Sequence, residues 1–368
     1  MSGVAALTQD CAQHSAQDAA LAEALCGLVP PEAAERVKPY QASSPCLAWE
    51  HWPVLLLEFA RSRGLSPALV QQSAEIGEAG KLPAQLSPQQ LLRMMAVVQQ
   101  ELASADTPFV LGQLSLPGHY GLPSHALAQA ENLGQALQVL VRHAGRLSPL
   151  LTPRLLRHRD EIILLWTEAC GLPAAQRGFV VDLQMSAVTA MCQWLGGERL
   201  PWRYSFNRTQ PRDLSQHAVY LGPELQFDCQ VDAMRLPAAC LGKTWPRGVQ
   251  ASMAAQALAQ GAEPAARARG FLAALYDYLL PRYREAPTLE AAAAFFGVSC
   301  ATFKRHLAQH GTHYQAQVDQ VRTHVALYLL LLQGRSNEGV AQQLGFHDRS
   351  NFRRSFKRWT GLVPSLLA

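Results

Sequence analysis

The sequence predicts an α+β N-terminal domain followed by an all-α domain in which two helix-turn-helix units are joined by a long helix. Three observations predict it. Short alternating apolar runs broken by Pro, Gly and Asp lie between residues 150 and 230; apolar residues elsewhere recur at helical spacing; and two similar segments stand near the C-terminus.

A length of 368 residues suits two domains, and 49% hydrophobic with 16% charged residues suits a folded chain with a sizeable core. No eighteen-residue uncharged apolar run occurs, and Met1 to Asp10 lacks a basic start followed by an apolar stretch. A cytoplasmic protein with no membrane partner is therefore expected. The eight cysteines form no CxxC pair, which argues against a zinc site or a disulfide framework. HExxH, GxSxG and GxGxxG are absent, so no catalytic residue and no cofactor is assigned and the chain is not read as an enzyme. Gly242-Lys243-Thr244 resembles the end of a P-loop, but Pro237 stands where its first glycine belongs, and a simple turn is the better reading.

Four segments follow in chain order. Residues 1–45, rich in Ala, Gln, Ser and Pro, read as an N-terminal arm; 46–250 as the α+β domain; 251–268, Ala-rich and broken by Gly261 and Pro264, as a linker; and 269–368 as the helical domain. Within the α+β domain, helices are predicted from Trp49 to Gly64, Ser66 to Ile76, Ser87 to Leu102 and Gly178 to Leu195. Leu155 to Arg157 and Glu161 to Glu168 read as a hairpin with Ile162, Leu164 and Trp166 on one face. Trp202 to Phe206, Ala218 to Leu221 and Leu225 to Cys229 read as short strands. Trp166, Trp194 and Trp202 are expected in the core and not around a ligand.

Charge is uneven along the chain. Residues 270–368 hold 11 Lys and Arg against 6 Asp and Glu, a balance of +5, while the rest holds 21 against 22. A phosphate-binding surface would place its cations in that C-terminal part. There, Ala294 to Ser299 followed by Phe303-Lys304-Arg305-His306-Leu307 resembles Ala341 to Phe346 followed by Phe352-Arg353-Arg354-Ser355-Phe356, with one extra residue in the second turn. Each copy has a short apolar helix, a glycine for a tight reversal, and a second helix with apolar residues at i and i+4. Ser299 and Asp348 sit where they can cap those second helices.

By the same periodicity Phe303, Leu307, Phe352 and Phe356 point inward, and the intervening residues point outward. These are Ala301, Thr302, Lys304 and Arg305 in the first copy, and Arg349, Ser350, Asn351, Arg353 and Arg354 in the second. Arg and Lys can bond guanine, Asn adenine, and Ala the thymine methyl, so both helices read as major-groove readers; Lys357 and Arg358 would hold phosphates. The competing reading is a merely solvated cationic face. Thr312-His313-Tyr314-Gln315 reads as a capping box opening a helix to Gln333, with Gly334 as its stop. About twenty residues at ~1.5 Å each span roughly 30 Å, near one turn of B-DNA, so the two readers can enter successive grooves.

Other constellations carry less. His306, His310 and His313 have a spacing that can gather imidazoles, but Gly311 ends the helix between them, and no metal is expected. His119, Tyr120, Arg142 and His143 could line a pocket for a polar small molecule, set against ordinary loop and surface roles.

The run Ala341-x-x-Leu344-Gly345-Phe346-x-Asp348-x-Ser350-x-Phe352-x-Arg354-x-Phe356-Lys357-Arg358-x-x-Gly361-x-x-Pro364 resembles the AraC/XylS family of bacterial transcription regulators, over about Arg269 to Pro364. Arg322, Ala326 and Gly311-Thr312 fit the same pattern. Residues from about 50 to 245, with Asn132-Leu133-Gly134-Gln135-Ala136-Leu137 and Tyr120-Gly121 as the best piece, resemble the arabinose-binding-like domain of the ornithine-utilisation-regulator subgroup. The resemblance implies a DNA-binding activator of transcription, with double-stranded promoter DNA and RNA polymerase as partners. It further implies an N-terminal domain that binds a small-molecule effector or forms a homodimer. The alternative is a ligand-independent regulator whose N-terminal domain serves only for association. Asn337 and Gly339 depart from the family pattern, and their weak helix propensity is expected to cost the second unit about 1 kcal/mol.

Overall fold

The computed structural model describes residues 38–75, 83–246 and 268–366. The predicted arm up to residue 37, Ile76 and nearly all of the predicted linker lie outside the described residues. Two compact units are present, one within Glu35–Ala273 and one within Ala274–Ala368.

The first unit opens with β1 (Leu47–Ala48), α1 (Trp52–Ser62), α2 (Pro67–Ser73), β2 (Gln85–Leu86) and α3 (Pro88–Leu102). Two of the predicted helix signals operate here: Gly64 takes a φ of +83° just beyond α1, and Ser87 forms a reciprocal capping box with Gln90, whereas Ser66 precedes α2 without a side-chain capping bond. There follow α4 (Thr107–Ser115), α5 (Leu122–Ala128), α6 (Leu133–Arg142) and α7 (Ala144–Leu147). Asn132 caps α6 by accepting from the Gln135 N–H at 3.0 Å.

The centre of this unit is a five-stranded sheet in the order β3 (Leu151–His158), β4 (Glu161–Glu168), β7 (Asp232–Pro237), β5 (Arg203–Ser205), β6 (Leu225–Gln226). Pairing is antiparallel except between β5 and β6. The predicted hairpin is present, longer at its first strand, and turns at Arg159 with φ +49°. Ile162, Leu164 and Trp166 share one buried face as expected, and Ile163 and Leu165 on the other face are buried as well, so the hairpin is covered on both sides.

The long helix α8 (Ala174–Gly196) is buried on nearly every side from Phe179 to Thr189. Its close partner is α4: a Cβ on Gly112 would stand 2.4 Å from the Leu183 carbonyl oxygen, and Ser186 donates its hydroxyl to the Phe109 carbonyl at 2.8 Å. Only a residue without a side chain permits that approach. Asp182, also on α8, is held by Arg208, and Thr189 bonds the Tyr204 hydroxyl at 2.7 Å. Thus the polar groups that enter this core are mostly partnered.

Two further corrections concern the region after α8. Ala218 to Leu221, expected as a strand, belongs to helix α9 (Ser215–Tyr220), where His217 packs edge-on against Phe109, Phe206 and Phe227. Leu225 to Cys229 contributes only the two-residue β6, and β7 has no counterpart in the expected elements. Trp166 and Trp202 are buried as expected, whereas Trp194 is 48% exposed. The Gly242-Lys243-Thr244 turn directs the Lys243 amine to Glu198.

Candidate nucleic-acid interface

The second unit is helical. After helix α10 (Phe271–Leu279), whose first three residues belong to the first unit, it holds α11 (Leu289–Phe295), α12 (Cys300–Gln309), α13 (Tyr314–Leu327), α14 (Asn337–Gln343) and α15 (Arg349–Thr360). The pairs α11–α12 and α14–α15 are the two helix-turn-helix units.

Their turns are built alike. In the first, the Val298 N–H bonds the Ala293 carbonyl at 3.0 Å and the Gly297 N–H bonds Ala294 at 3.0 Å; in the second, Phe346 bonds Ala341 at 2.9 Å and Gly345 bonds Gln342 at 3.1 Å. Gly297 and Gly345 have φ of +66° and +75°, the left-handed region that this closure needs. Aligned on these bonds, Ala293 is the equivalent of Ala341, one residue before the Ala294 suggested by the residue runs.

Ser299 and Asp348 begin the reading helices as expected. The Ser299 hydroxyl accepts from the Thr302 N–H at 3.2 Å, and an Asp348 carboxylate oxygen accepts from the Asn351 N–H at 2.7 Å. Phe303, Leu307, Phe352 and Phe356 are buried to 1% exposure or less. Phe303 stacks on Phe296, and Phe352 packs against Phe346 and Phe356. Four buried side chains of this size hold the opposite faces of both helices outward.

On those faces stand the eleven expected residues. Ala301, Lys304, Arg305, Arg349, Ser350, Arg353, Arg354, Lys357 and Arg358 are exposed, and Thr302 and Asn351 are half-buried. Arg358, exposed, lies 3.7 Å from the half-buried Asp319 of α13, a long contact worth little to stability. Residues 349–360 of α15 hold five cations and no acidic residue, with Asp348 at the cap.

The joint between the units differs from expectation at its start. Thr312 does not cap α13: its hydroxyl accepts from the Gln317 side chain at 3.0 Å, His313 precedes the helix without a side-chain capping bond, and Gln315 bonds Asp319. The helix continues as a π-turn, Tyr328–Leu332, to Gly334 at φ +61°. The 19 residues of these two segments span about 28 Å at ~1.5 Å each. Ser336 caps α14 through the Gly339 N–H at 3.2 Å, which lets that helix form despite Asn337 and Gly339.

His310 is buried at the end of α12, and burial with nearby His306 lowers its pKa to about 4, while His313 is exposed. Among the described residues no group of three His, Cys, Asp or Glu side chains is disposed to hold a metal ion, and no helix is long and apolar enough to cross a membrane.

In the first unit the four pocket candidates separate. His119 and Arg142 are exposed, while Tyr120 and His143 are buried. The Tyr120 ring stacks on Trp52 at 5.4 Å, and Trp52 donates to the Arg146 carbonyl in the turn that His143 begins. Among the described residues the Tyr120 hydroxyl and His143 Nδ1 have no hydrogen-bond partner. Burial, then Arg142 and Arg146, lowers the His143 pKa to about 4.

Sequence reasoning missed two features. The Tyr283 and Arg284 carbonyls, between α10 and α11, accept from two nitrogens of Arg322, and the Tyr283 hydroxyl accepts from Gln343 at 2.7 Å. The other is the bonded run of Asp348, Asn351 and Arg354 along the start of α15, whose i, i+3, i+6 spacing was the available signal.

A fold of this kind, with two capped, cation-bearing helices each locked on a short helix, defines a DNA-binding transcription regulator. Residues 64–244 match the family described as the arabinose-binding domain of AraC transcription regulators, N-terminal, and residues 292–367 match a helix-turn-helix domain family. The chain is 29% identical to the ornithine utilization regulator of Pseudomonas aeruginosa over 261 residues, covering 70% of this chain and 76% of that protein. It is 25% identical to an uncharacterized HTH-type transcriptional regulator of Mycobacterium tuberculosis, covering 67% and 74%. The crystal structure of the transcriptional regulator CdpR from Pseudomonas aeruginosa aligns with a TM-score of 0.42 at 22% identity, over 85% of this chain and 96% of that one. The chain belongs to the AraC family of transcription regulators. These families and relatives are regulators and not enzymes.

Proposed function

We propose that the chain is a sequence-specific transcription activator that reads promoter DNA through α12 and α15 and recruits RNA polymerase there. One observation carries this reading: both helices are capped, seated on buried aromatic or apolar side chains, and exposed on the face that bears Lys304, Arg305, Arg349, Arg353 and Arg354. In this reading residues 269–368 form the DNA-binding domain, 251–268 the linker, 46–250 the sensing domain and 1–45 an arm. The protein works in the cytoplasm, on the nucleoid.

The sensing domain binds a small effector and shifts the DNA-binding domain between arrangements of different operator affinity. Buried, unpartnered polar atoms on Tyr120 and His143 support a ligand near Trp52, with His119 and Arg142 at its rim. The relative named for ornithine utilization makes amino acids and their amines the first probes. A second reading has its own observation: Trp194 and Val219 are 48% and 65% exposed, which favours a domain that associates with a second copy and binds no ligand.

Selection of bound duplexes from random DNA with the full chain, with and without those probes, tests both. A single enriched motif whose affinity changes with a probe supports the first reading. A motif unmoved by any probe, with dimers in sedimentation, supports the second. Binding no tighter to any duplex than to heparin removes both.

A further inference from the structure

Three side chains form a ladder along one face of α15. Asp348 accepts twice, from the Asn351 backbone N–H at 2.7 Å on one oxygen and from Asn351 Nδ2 at 2.7 Å on the other. Asn351 Oδ1 in turn accepts from Arg354 Nη2. The orientation of this amide is dictated by its neighbours: a carboxylate needs a donor, so nitrogen faces Asp348, and a guanidinium needs an acceptor, so oxygen faces Arg354.

The consequence is twofold. Bidentate recognition of adenine requires the oxygen and the nitrogen of an asparagine amide, and in Asn351 one N–H and one lone pair are already committed within the helix, which fixes the plane and direction of the amide. Meanwhile Arg354, otherwise a long mobile side chain, is held through one hydrogen of Nη2, and the second Nη2 hydrogen with a neighbouring N–H still makes a two-pronged edge for a guanine or a phosphate.

The first unit lacks the last rung. Ser299 and Thr302 repeat the lower part, with the Thr302 N–H donating to Ser299 Oγ at 3.2 Å and the two hydroxyls 3.0 Å apart. Among the described residues no hydrogen bond joins Thr302 to Arg305, the equivalent of Arg354.

Resting on the DNA-reading assigned above, the geometry points to Asn351 as a positioning residue and not a base reader: with Asp348 behind it, it fixes Arg354 for a single guanine, giving the second unit a stricter preference than the first. A preorganised donor loses less freedom on binding than a mobile one, so its discrimination between bases is larger.

The test uses the full chain and an operator obtained by selection, with affinities measured for all four bases at each operator position. Arg354→Ala should lower discrimination about ten-fold at one base pair, in line with the loss of a good base contact. Asn351→Ala should lower it about three-fold or more at that same base pair, and the double variant should be no worse than Arg354→Ala alone. Asp348→Ser keeps a capping oxygen but removes the second acceptor, so it should relax the same position with thermal unfolding nearly unchanged. The salt slope for Asn351→Ala should match the parent, because no phosphate contact is lost. Relaxation at a different base pair by Asn351→Ala, additive losses in the double variant, or no change in base preference overturns the positioning role. If Arg354→Ala leaves every position unchanged while Lys304 and Arg305 variants still relax theirs, the ladder is wrong and the wider DNA-reading stands; if none of these variants alters any position, the DNA-reading itself is wrong.

Discussion

Arg322, midway along α13, donates from Nε to the Tyr283 carbonyl at 3.0 Å and from Nη2 to the Arg284 carbonyl at 3.1 Å. Next to these acceptors, a Cβ on Gly345 would meet the Arg284 carbonyl at 3.1 Å, and the Gln343 side chain reaches the Tyr283 hydroxyl. One guanidinium therefore ties the connecting helix to the segment against which the second helix-turn-helix is seated.

Removing it leaves two carbonyls without donors in a half-buried site. Arg322→Ala is expected to destabilise the helical domain by about 2–4 kcal/mol, and Arg322→Lys by less, since an ammonium can satisfy one carbonyl but not the fork. Urea unfolding followed by circular dichroism measures both; equal stability of the Ala variant and the parent would remove the tie.

Two glycines predict effects of opposite sign. Gly112→Ala drives a methyl to 2.4 Å from backbone at Leu183 and should cost on the order of 2–3 kcal/mol by forcing α4 off α8. Gly339→Ala has only the Ser336 hydroxyl at 3.5 Å for company and replaces a poor helix former inside α14, so it should stabilise by about 0.5–1 kcal/mol. The same unfolding experiment reads both signs.

Acid should weaken the fold through histidines. His143 and His310 have pKa values lowered to about 4 by burial, against about 6.5 in an unfolded chain. Between those values the unfolded chain binds the protons and the folded chain does not, so stability is full above pH ~6.5 and falls as pH drops toward 4. The loss is on the order of 2 kcal/mol for each histidine. Melting temperatures at pH 7.5 and 5 should differ less in His143→Gln and in His310→Gln than in the parent. An unchanged difference in both would contradict the assignment.

Salt dependence separates the roles of cations on α15. Lys357→Ala should weaken binding evenly across DNA sequences and make the slope of log K against log salt shallower by about 1, as loss of one phosphate contact does. A change in base preference in that variant would make Lys357 a reader.

The helical half was legible in residues because its signals are local. Caps at Ser299 and Asp348, turn glycines at 297 and 345, and phenylalanines four apart each declare their conformation within a few positions, and all took the expected places. The α+β half depends on distant partners. Strand β7 owes its existence to β4 and β5 on either side, and the stretch Ala218 to Leu221 has the apolar content of a strand but closes a helical turn beneath Phe109. Thr312 illustrates a local signal that a neighbour diverted, because Gln317 occupies the hydroxyl expected to cap. Of the interface, the outward residues were legible from periodicity; the bond from Asn351 to Arg354 was not, since spacing permits such a contact without requiring it.

The most direct measurement is a hydroxyl-radical footprint of the full chain on its selected operator. Two protected blocks on one face of the duplex, about one helical turn or ~10 base pairs apart, are the expected result, with the upstream or downstream block alone weakened by Lys304→Ala and the other by Arg353→Ala. One block only, or two blocks that both fade with either variant, would contradict a pair of reading helices set in neighbouring grooves.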